Sequence, residues 1–521
     1  MTKKCNIIEK LLFLRPSILV DEDPRLLSDW KRGITLSCVT LTVSTSSITS
    51  TIYFPGIPYI ASELNAAPMP ITLTTALYIL VTGIAPVFWA SISDHYHIRR
   101  VLIMVALIIF SFSSMISAIV DNIWALIVLR CIQGAGASCA LSIGPGVIAD
   151  CYPIEKRGTA FAKFYYGVFV GPLIGPVVGG GLIMTKQTWR ATFWFLFAYG
   201  ITILILVFFA LPETYRDNER FDKEVQEQSL QKAHDDEEKG KIEDIKEGDN
   251  KEEKNYMQDD DVCSMDPGTT VINVDQNDGE QNNTKDKIET VRSARANSKR
   301  INPIEPFLML RHPFVLLASM ISGISFGAMY AIETIMPSLY QTHYNFVAWQ
   351  TGLTFIGAGI GNTIGTIVNG LLADRLLLRS RKKRSGIPKV EDRLTLNLWP
   401  SGIIFIPLGL LLFGWPIVYD MSVWAPIMGF SIQNFGMVQL MTLSSAYLVD
   451  AMPGKGASAA ASSNVMRNVM ACFLTLSANP MTDAMGAGWT TVLLSTVTLL
   501  SVAFLLILKV YGEELRRRSG Y

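Results

Sequence analysis

The sequence lacks the usual apparatus of an enzyme. It has no glycine-rich phosphate loop, no cluster of metal-ligating side chains and no nucleophile paired with a general base. Nothing therefore points to an ATPase, a metal-dependent catalyst or a covalent hydrolase, and neither a cofactor nor a metal is expected. Cysteine is sparse too: seven in 521 residues, with no Cys-x-x-Cys pair. Cys131, Cys139 and Cys472 fall inside apolar runs, where a thiol packs as a small hydrophobe. Charge is the third scarcity. Asp, Glu, Lys and Arg make up 17% of the chain, against about 25% in soluble proteins. Of the 45 acidic residues, 25 fall between Glu213 and Thr290, so the remainder is far more apolar than the average suggests. The net charge of zero sums two unlike regimes, and no nucleic-acid partner is expected. Residues 1–32 have polar and basic residues throughout, without a short apolar region followed by a small-residue cleavage site, so no cleavable signal peptide is expected.

What the chain does have is long apolar runs. A helix crossing about 30 Å of hydrocarbon needs about 20 mostly apolar residues. Six such runs precede the acidic stretch, at 33–60, 70–93, 101–120, 123–149, 158–184 and 191–211. Six follow it, at 313–339, 351–373, 396–415, 423–448, 457–483 and 489–511. The first and tenth are the least apolar, being rich in Ser, Thr or Gly. The fold class is therefore all-α: a polytopic membrane protein of twelve transmembrane helices. Residues 33–211 and 313–511 would form two six-helix bundles, with 1–32 and 512–521 as tails and 212–312 as an acidic loop. That loop has few aromatics and is too polar to bury a core, so it is expected to be disordered.

Orientation follows from Lys and Arg in the short connections, which favour the cytosolic side. Arg99 and Arg100 lie in one such turn and Lys156 and Arg157 in another. Arg375, Arg379, Arg381, Lys382, Lys383, Arg384, Lys389 and Arg393 fill a third, and Arg516 to Arg518 the tail. The alternate connections hold only Lys186 and Arg190. Both termini and the acidic loop are thus expected in the cytosol.

The halves repeat, as they do in secondary transporters. Ser93-Asp94 closes the second span before a basic cluster; Ala373-Asp374 closes the eighth before another. Val147-Ile148-Ala149-Asp150 closes the fourth span ahead of Gly158-Thr159-Ala160. Tyr447-Leu448-Val449-Asp450 closes the tenth ahead of Gly456-Ala457-Ser458-Ala459. Two related halves imply a substrate path along their interface. At the cytosolic surface, Asp94 with Arg99 and Asp150 with Arg157 are candidate charge clusters holding one conformation, or else simple topology signals.

Charges inside a bilayer are costly and so are candidate functional residues. Arg130 lies seven residues past Ile123, roughly 10 Å deep at 1.5 Å per residue. Its neighbours in sequence supply no charge partner, and Gln133-Gly134-Ala135-Gly136 follows. Such small residues let another helix approach closely. A guanidinium buried there can hold a substrate, relay a proton's charge or bond backbone carbonyls between helices. Arg467 is its counterpart in the eleventh span, with Asn464 three residues earlier on the same helix face. Glu333, in the seventh span, is either a proton-carrying carboxylate or an interfacial residue reaching water. In the fifth span Gly167, Gly171, Gly175 and Gly179 recur every four residues along one face. With Gly180, Pro172 and Pro176 beside them, a bent, closely packed helix is expected, acting as a hinge or gate.

Several of these stretches resemble the major facilitator superfamily, specifically its twelve-span fungal drug–proton antiporters. Leu129-Arg130-Cys131-Ile132-Gln133-Gly134-Ala135-Gly136 is similar to the family's fourth-span motif, whose Arg is linked to proton coupling. Gly171-Pro172-Leu173-Ile174-Gly175-Pro176-Val177-Val178-Gly179-Gly180 resembles the antiporter-specific fifth-span motif. Pro212-Glu213-Thr214-Tyr215 resembles the end of the sixth span. Ser50-Thr51-Ile52-Tyr53-Phe54-Pro55, with Leu77-Tyr78 through Asp94, resembles the branch of quinidine-resistance and dityrosine exporters. One turn departs from the family. Ala90-Ser91-Ile92-Ser93-Asp94-His95-Tyr96-His97-Ile98-Arg99 keeps Asp94 and Arg99 but lacks both glycines and two arginines, which would weaken its charge lock or make it pH-sensitive through His95 and His97.

The resemblance implies a monomeric, proton-coupled exporter of small organic molecules such as drugs, organic cations, polyamines or amino-acid derivatives. Its partners would be the substrate, protons and membrane lipid. Its energy would come from a proton gradient, and it would reside in the plasma membrane or in an internal or spore-forming membrane. Two alternatives stay open: a proton-coupled nutrient importer, and a non-transporting sensor built on a transporter frame.

Overall fold

The computed structural model describes residues 24–152, 154–215, 304–383, 390–394, 397–452 and 455–520. The expectations for most of the N-terminal tail and the acidic loop, and for part of the basic connection after Asp374, lie outside these residues. Among the described residues the regular structure is helical throughout.

The first helix, α1 (Asp29–Thr51), is capped by Ser28, whose hydroxyl accepts from the Lys31 amide. It stops where Pro55, Gly56 and Pro58 interrupt the run, and the short α2 (Ile57–Glu63) follows. The expected single run 33–60 is therefore two pieces. Next come α3 (Pro68–Tyr96), α4 (Arg100–Ile119), α5 (Ile123–Ala137) and α6 (Cys139–Cys151). The fourth apolar run is thus two helices meeting at Ser138. The first half ends with α7 (Ile154–Ile183) and α8 (Arg190–Ala210). After the acidic loop come α9 (Glu305–Met309), α10 (Pro313–Tyr344), α11 (Ala348–Thr354), α12 (Ile356–Lys383), α13 (Ile406–Val418), α14 (Trp424–Ala451) and α15 (Gly456–Arg518). A π-helical turn at Ser401–Phe405 leads into α13. One residue inside α15, Gly486, leaves the helical region at φ 81° and ψ 164°, so α15 holds two spans.

Nine helices are long and apolar enough to cross a membrane among the described residues, and α1 and α14 are not among them. With α15 counted twice and those two added, twelve crossings result. The two weakly apolar spans have a physical explanation. The buried face of α1 is largely hydroxyl: Thr42, Thr45, Thr49 and Thr51 are inside, and Thr42 and Thr45 donate to carbonyls of their own helix. In α14, Gln433, Asn434 and Gln439 are buried. Both spans face protein rather than lipid, so they need less apolar surface.

Separate hydrophobic cores form in the two halves. One gathers Val39, Val43, Ile103, Ile143 and Phe164; another gathers Tyr53, Phe110, Trp189 and Phe193. A third is centred in the second half, around Phe314, Ile332, Tyr340, Phe413 and Tyr447, and also takes in Phe54 of the first half, stacked on Phe355. A small cluster crosses the seam, joining Tyr78 and Ile79 to Ala471. At one end of the first half, Arg190 binds Glu63 at 3.1 Å and Asp121 at 2.6 Å, tying α2, the end of α4 and α8 together.

Candidate functional site

Arg130 is fully buried on α5. Its Nη1 donates to the Thr49 carbonyl at 3.3 Å and to Gln133 Oε1 at 2.9 Å. Gln133 is held in turn, donating to Ser114 Oγ at 2.7 Å. The guanidinium lies between two aromatic rings, 4.6 Å from the centroid of Tyr53 and 4.2 Å from that of Tyr78. Each ring is fixed by its hydroxyl: Tyr53 pairs with Thr74 Oγ1 at 2.7 Å, and Tyr78 donates to the Ser46 carbonyl at 3.0 Å. Nε and Nη2 of Arg130 have no partner, and no carboxylate is among its bonded groups. Two π faces stabilise a desolvated cation but do not neutralise it.

Across the seam, Arg467 on α15 donates from Nη2 to Asn464 Oδ1 at 2.6 Å. Its Cζ lies 5.2 Å from the ring centroid of Phe326, and its buried Nε has no partner. Asn464 also reaches the other half, donating to the Gly83 carbonyl at 3.4 Å. Asn468 donates to the Asn464 carbonyl at 2.8 Å and fills the space where a Cβ on Gly83 would lie. Glu333 on α10 is fully buried, with both carboxylate oxygens unpartnered. In this conformation it does not reach the surface. Helix α10 continues for eleven residues beyond it, to Tyr344, and packs around it. Tyr330, one turn earlier, lies within electrostatic range of Glu333, Tyr78 and Arg467 and pairs with Ser50 of α1 at 3.0 Å.

Helix α7 uses its glycines on two sides. A Cβ on Gly167, Gly171, Gly175 or Gly179 would run into Thr40, Ser47, Thr51 and Ile52 respectively, all from α1 or its end. Contact at this range lets the Thr51 hydroxyl donate to the Gly171 carbonyl at 2.8 Å. Gly180 faces the other half, where a Cβ would meet the Ala348 carbonyl and Trp349 of α11. Pro176 meets Gly352, and Leu173 meets Gly359. Pro172 and Pro176 lie inside the helix.

Two of the candidate charge clusters at the span ends meet at one arginine. Arg99 takes both aspartates: its Nε donates to Asp150 Oδ2 at 3.3 Å, and its Nη1 to Asp94 Oδ1 at 3.2 Å and Ser93 Oγ at 2.9 Å. Asp150, expected beside Arg157, is thus an Arg99 partner. Gly146, one turn earlier in α6, makes room, since a Cβ there would lie 2.8 Å from the Arg99 Cζ. The side chains of Arg157 and Asp374 lie outside the described residues, and Asp450 is exposed near the end of α14. His97 caps α3 in the left-handed region at φ 57°, with its ring edge-on to Tyr215 at 4.7 Å. His95 lies against Tyr96.

The family model described as the Major Facilitator Superfamily matches residues 39–475. The chain belongs to the major facilitator superfamily. It is 28% identical to the MFS antiporter QDR3 of Candida albicans, over 90% of this chain and 76% of that protein. It is 27% identical to Quinidine resistance protein 3 of Saccharomyces cerevisiae, over 90% of this chain and 80% of that protein. Among solved structures, a bacterial homolog of the human lysosomal transporter Spinster, inward-facing and unoccupied, superposes with a TM-score of 0.58. It shares 14% identity, with 94% of this chain and 98% of that chain covered. That likeness carries the major facilitator fold and nothing more. The protein is therefore a multi-pass transporter of this superfamily, and the branch resemblance in the sequence agrees with the fungal relatives.

Four groups at the site were not singled out from the superfamily-like sequence. Tyr53, Tyr78 and Tyr330 are the aromatic walls, and their signal is a phenol inside otherwise apolar or hydroxyl-rich spans. Glu213 is the fourth. Its carboxylate accepts from the Arg99 amide at 2.9 Å and the Arg100 amide at 3.1 Å. It therefore caps the start of α4 from the end of α8, as an anion at a helix N-terminus does.

Proposed function

We propose that the protein is a proton-driven antiporter that exports small organic molecules by alternating access. The observation that carries this reading is a pair of buried, unneutralised groups of opposite charge. Arg130 has π faces and carbonyls but no carboxylate, and Glu333 has no donor at all. Burying either charge is costly unless it is paired. A proton arriving at Glu333 removes one of these costs, and its departure restores it, so protonation can bias the two arrangements of the halves. Tyr330, one turn before Glu333, packs against the cluster of Tyr78, whose ring faces Arg130.

With Lys and Arg assigned to the cytosol, both termini and the acidic loop are cytosolic. Residues 33–211 and 313–511 are the two rocking bodies. In this conformation they are joined on the far side: Thr72 accepts from Asn479 Nδ2 at 2.7 Å, and Gly180 lies against Ala348. The plasma membrane is the assigned location. The glycine and proline pattern of α7, whose resemblance is to exporters, favours outward movement of substrate. Arg130→Ala tests the reading: in sealed vesicles it is expected to abolish gradient-driven efflux while membrane insertion is unchanged. Undiminished gradient-driven efflux by that variant would remove Arg130 from the coupling mechanism.

A further inference from the structure

The fixed charges along the seam have a sign. Among its described residues the seam holds two arginines, Arg130 and Arg467, and one acid, Glu333. With Glu333 ionised the sum is one positive charge, and with Glu333 protonated it is two. An organic cation therefore meets net repulsion in either state, whereas an anionic group meets attraction in both. We propose that Arg467 is the substrate's anion receptor, and that the exported molecules carry a carboxylate on an aromatic or similarly flat apolar body.

The geometry around Arg467 fits that chemistry. Asn464 orients the guanidinium through Nη2 at 2.6 Å and is itself held by Gly83 and Asn468. This leaves the buried Nε without a partner. An Arg N–H edge suits a planar carboxylate better than an ammonium does. Aromatic groups from both halves surround it: Phe326 at 5.2 Å, and Tyr165 and Tyr330 within electrostatic range. Tyr165 adds an aromatic ring from α7 of the first half. Arg130 is a poor receptor by contrast, because the Tyr53 and Tyr78 rings enclose it.

The assignment rests on the site of the proposed function and not on its direction of coupling: protonation of Glu333 strengthens the pull on an anion, so proton and anion favour each other's binding, and the two tests separate the receptor from the antiport reading. Binding is measured first, without any gradient, on the purified full chain. The probes are N-acetylphenylalanine as anion, its amide as neutral form and phenylalanine amide as cation. The anion is expected to bind about ten-fold or more tightly than the cation, the gain of one charge-assisted hydrogen bond. Arg467→Gln should lose that advantage, weakening the anion's binding more than the neutral probe's. Arg467→Lys, which keeps the charge, should preserve the order anion over cation with weaker binding. Equal or tighter binding of the cation, no binding of the anion, or unchanged anion affinity in Arg467→Gln overturns the assignment.

Transport is measured second, in proteoliposomes. Export of a monoanion against one proton moves two positive charges inward, so an inside-negative potential alone should drive it. Exchange of a monocation for a proton moves none. Potential-independent export of the anion counts against the assignment. Anion binding that depends on Arg467, with no gradient-driven movement of any probe, upholds the receptor and strikes the antiport reading instead.

Discussion

At the scale of single residues, the candidate site consists of rare charges and the groups that manage them. Glu333 gives the sharpest test. Glu333→Gln keeps the shape and removes the proton site, in a place where both carboxylate oxygens already lack partners. The variant is expected to fold, to lose acceleration by a pH gradient and to retain gradient-free exchange of substrate. Measuring efflux with and without an imposed gradient checks this, and full gradient dependence would assign the proton to another group. Arg130, Arg467, Asn464 and Glu333 were all legible in the sequence because a charge or carboxamide inside an apolar run is conspicuous. The partners of Arg130 were not. Thr49 and Tyr53 lie at the end of another span and Tyr78 on a third, and no spacing rule brings those positions to one guanidinium. The same holds at the turn between α3 and α4. Local sequence pairs Arg99 with Asp94 alone, while tertiary packing past Gly146 also brings it Asp150.

At the scale of elements, α7 has two differently employed faces, and substitutions on them should fail in different ways. Gly171 abuts α1 within the first half, and Gly180 abuts α11 in the second. Overpacking a close helix contact costs about 1–3 kcal/mol. Gly171→Val is therefore expected to lower the yield and thermal stability of the folded protein. Gly180→Val should leave the first half intact and oppose closure against α11, shifting the population away from this conformation. Thermal unfolding separates from labelling of a cysteine at Thr72 on that basis. Equal loss of stability in both variants would mean that α7 does not divide its faces between packing and gating. The glycine period itself was legible, as was the weak apolarity of the first and tenth spans. Which helix each glycine faces was not, because a four-residue repeat defines a face without naming what covers it. The helix breaks at Ser138 and at Pro55–Gly56, and the continuous path through α15, also escaped the hydropathy pattern. Each is a local backbone event inside an unbroken apolar run.

At the scale of the molecule, the repeat around Asp94, Asp150, Asp374 and Asp450 anticipated two related halves, and the structure adds where they touch. Thr72 and Asn479, Ser50 and Tyr330, and Gly180 and Ala348 join them, on the side of the spans away from the Arg99 cluster. Under the proposed export by alternating access these contacts part in each cycle, because the exported molecule leaves between them. A cysteine pair at Thr72 and Asn479, in a cysteine-free background, converts the 2.7 Å hydrogen bond into a covalent tie. Oxidation is expected to arrest efflux, and reduction to restore it. Substrate binding should survive oxidation, since the tie only holds a contact that this conformation already makes. Continued efflux by the fully cross-linked protein would mean that substrate leaves by a path that does not part Thr72 from Asn479, and the rocking of whole halves would have to give way to movement of single helices.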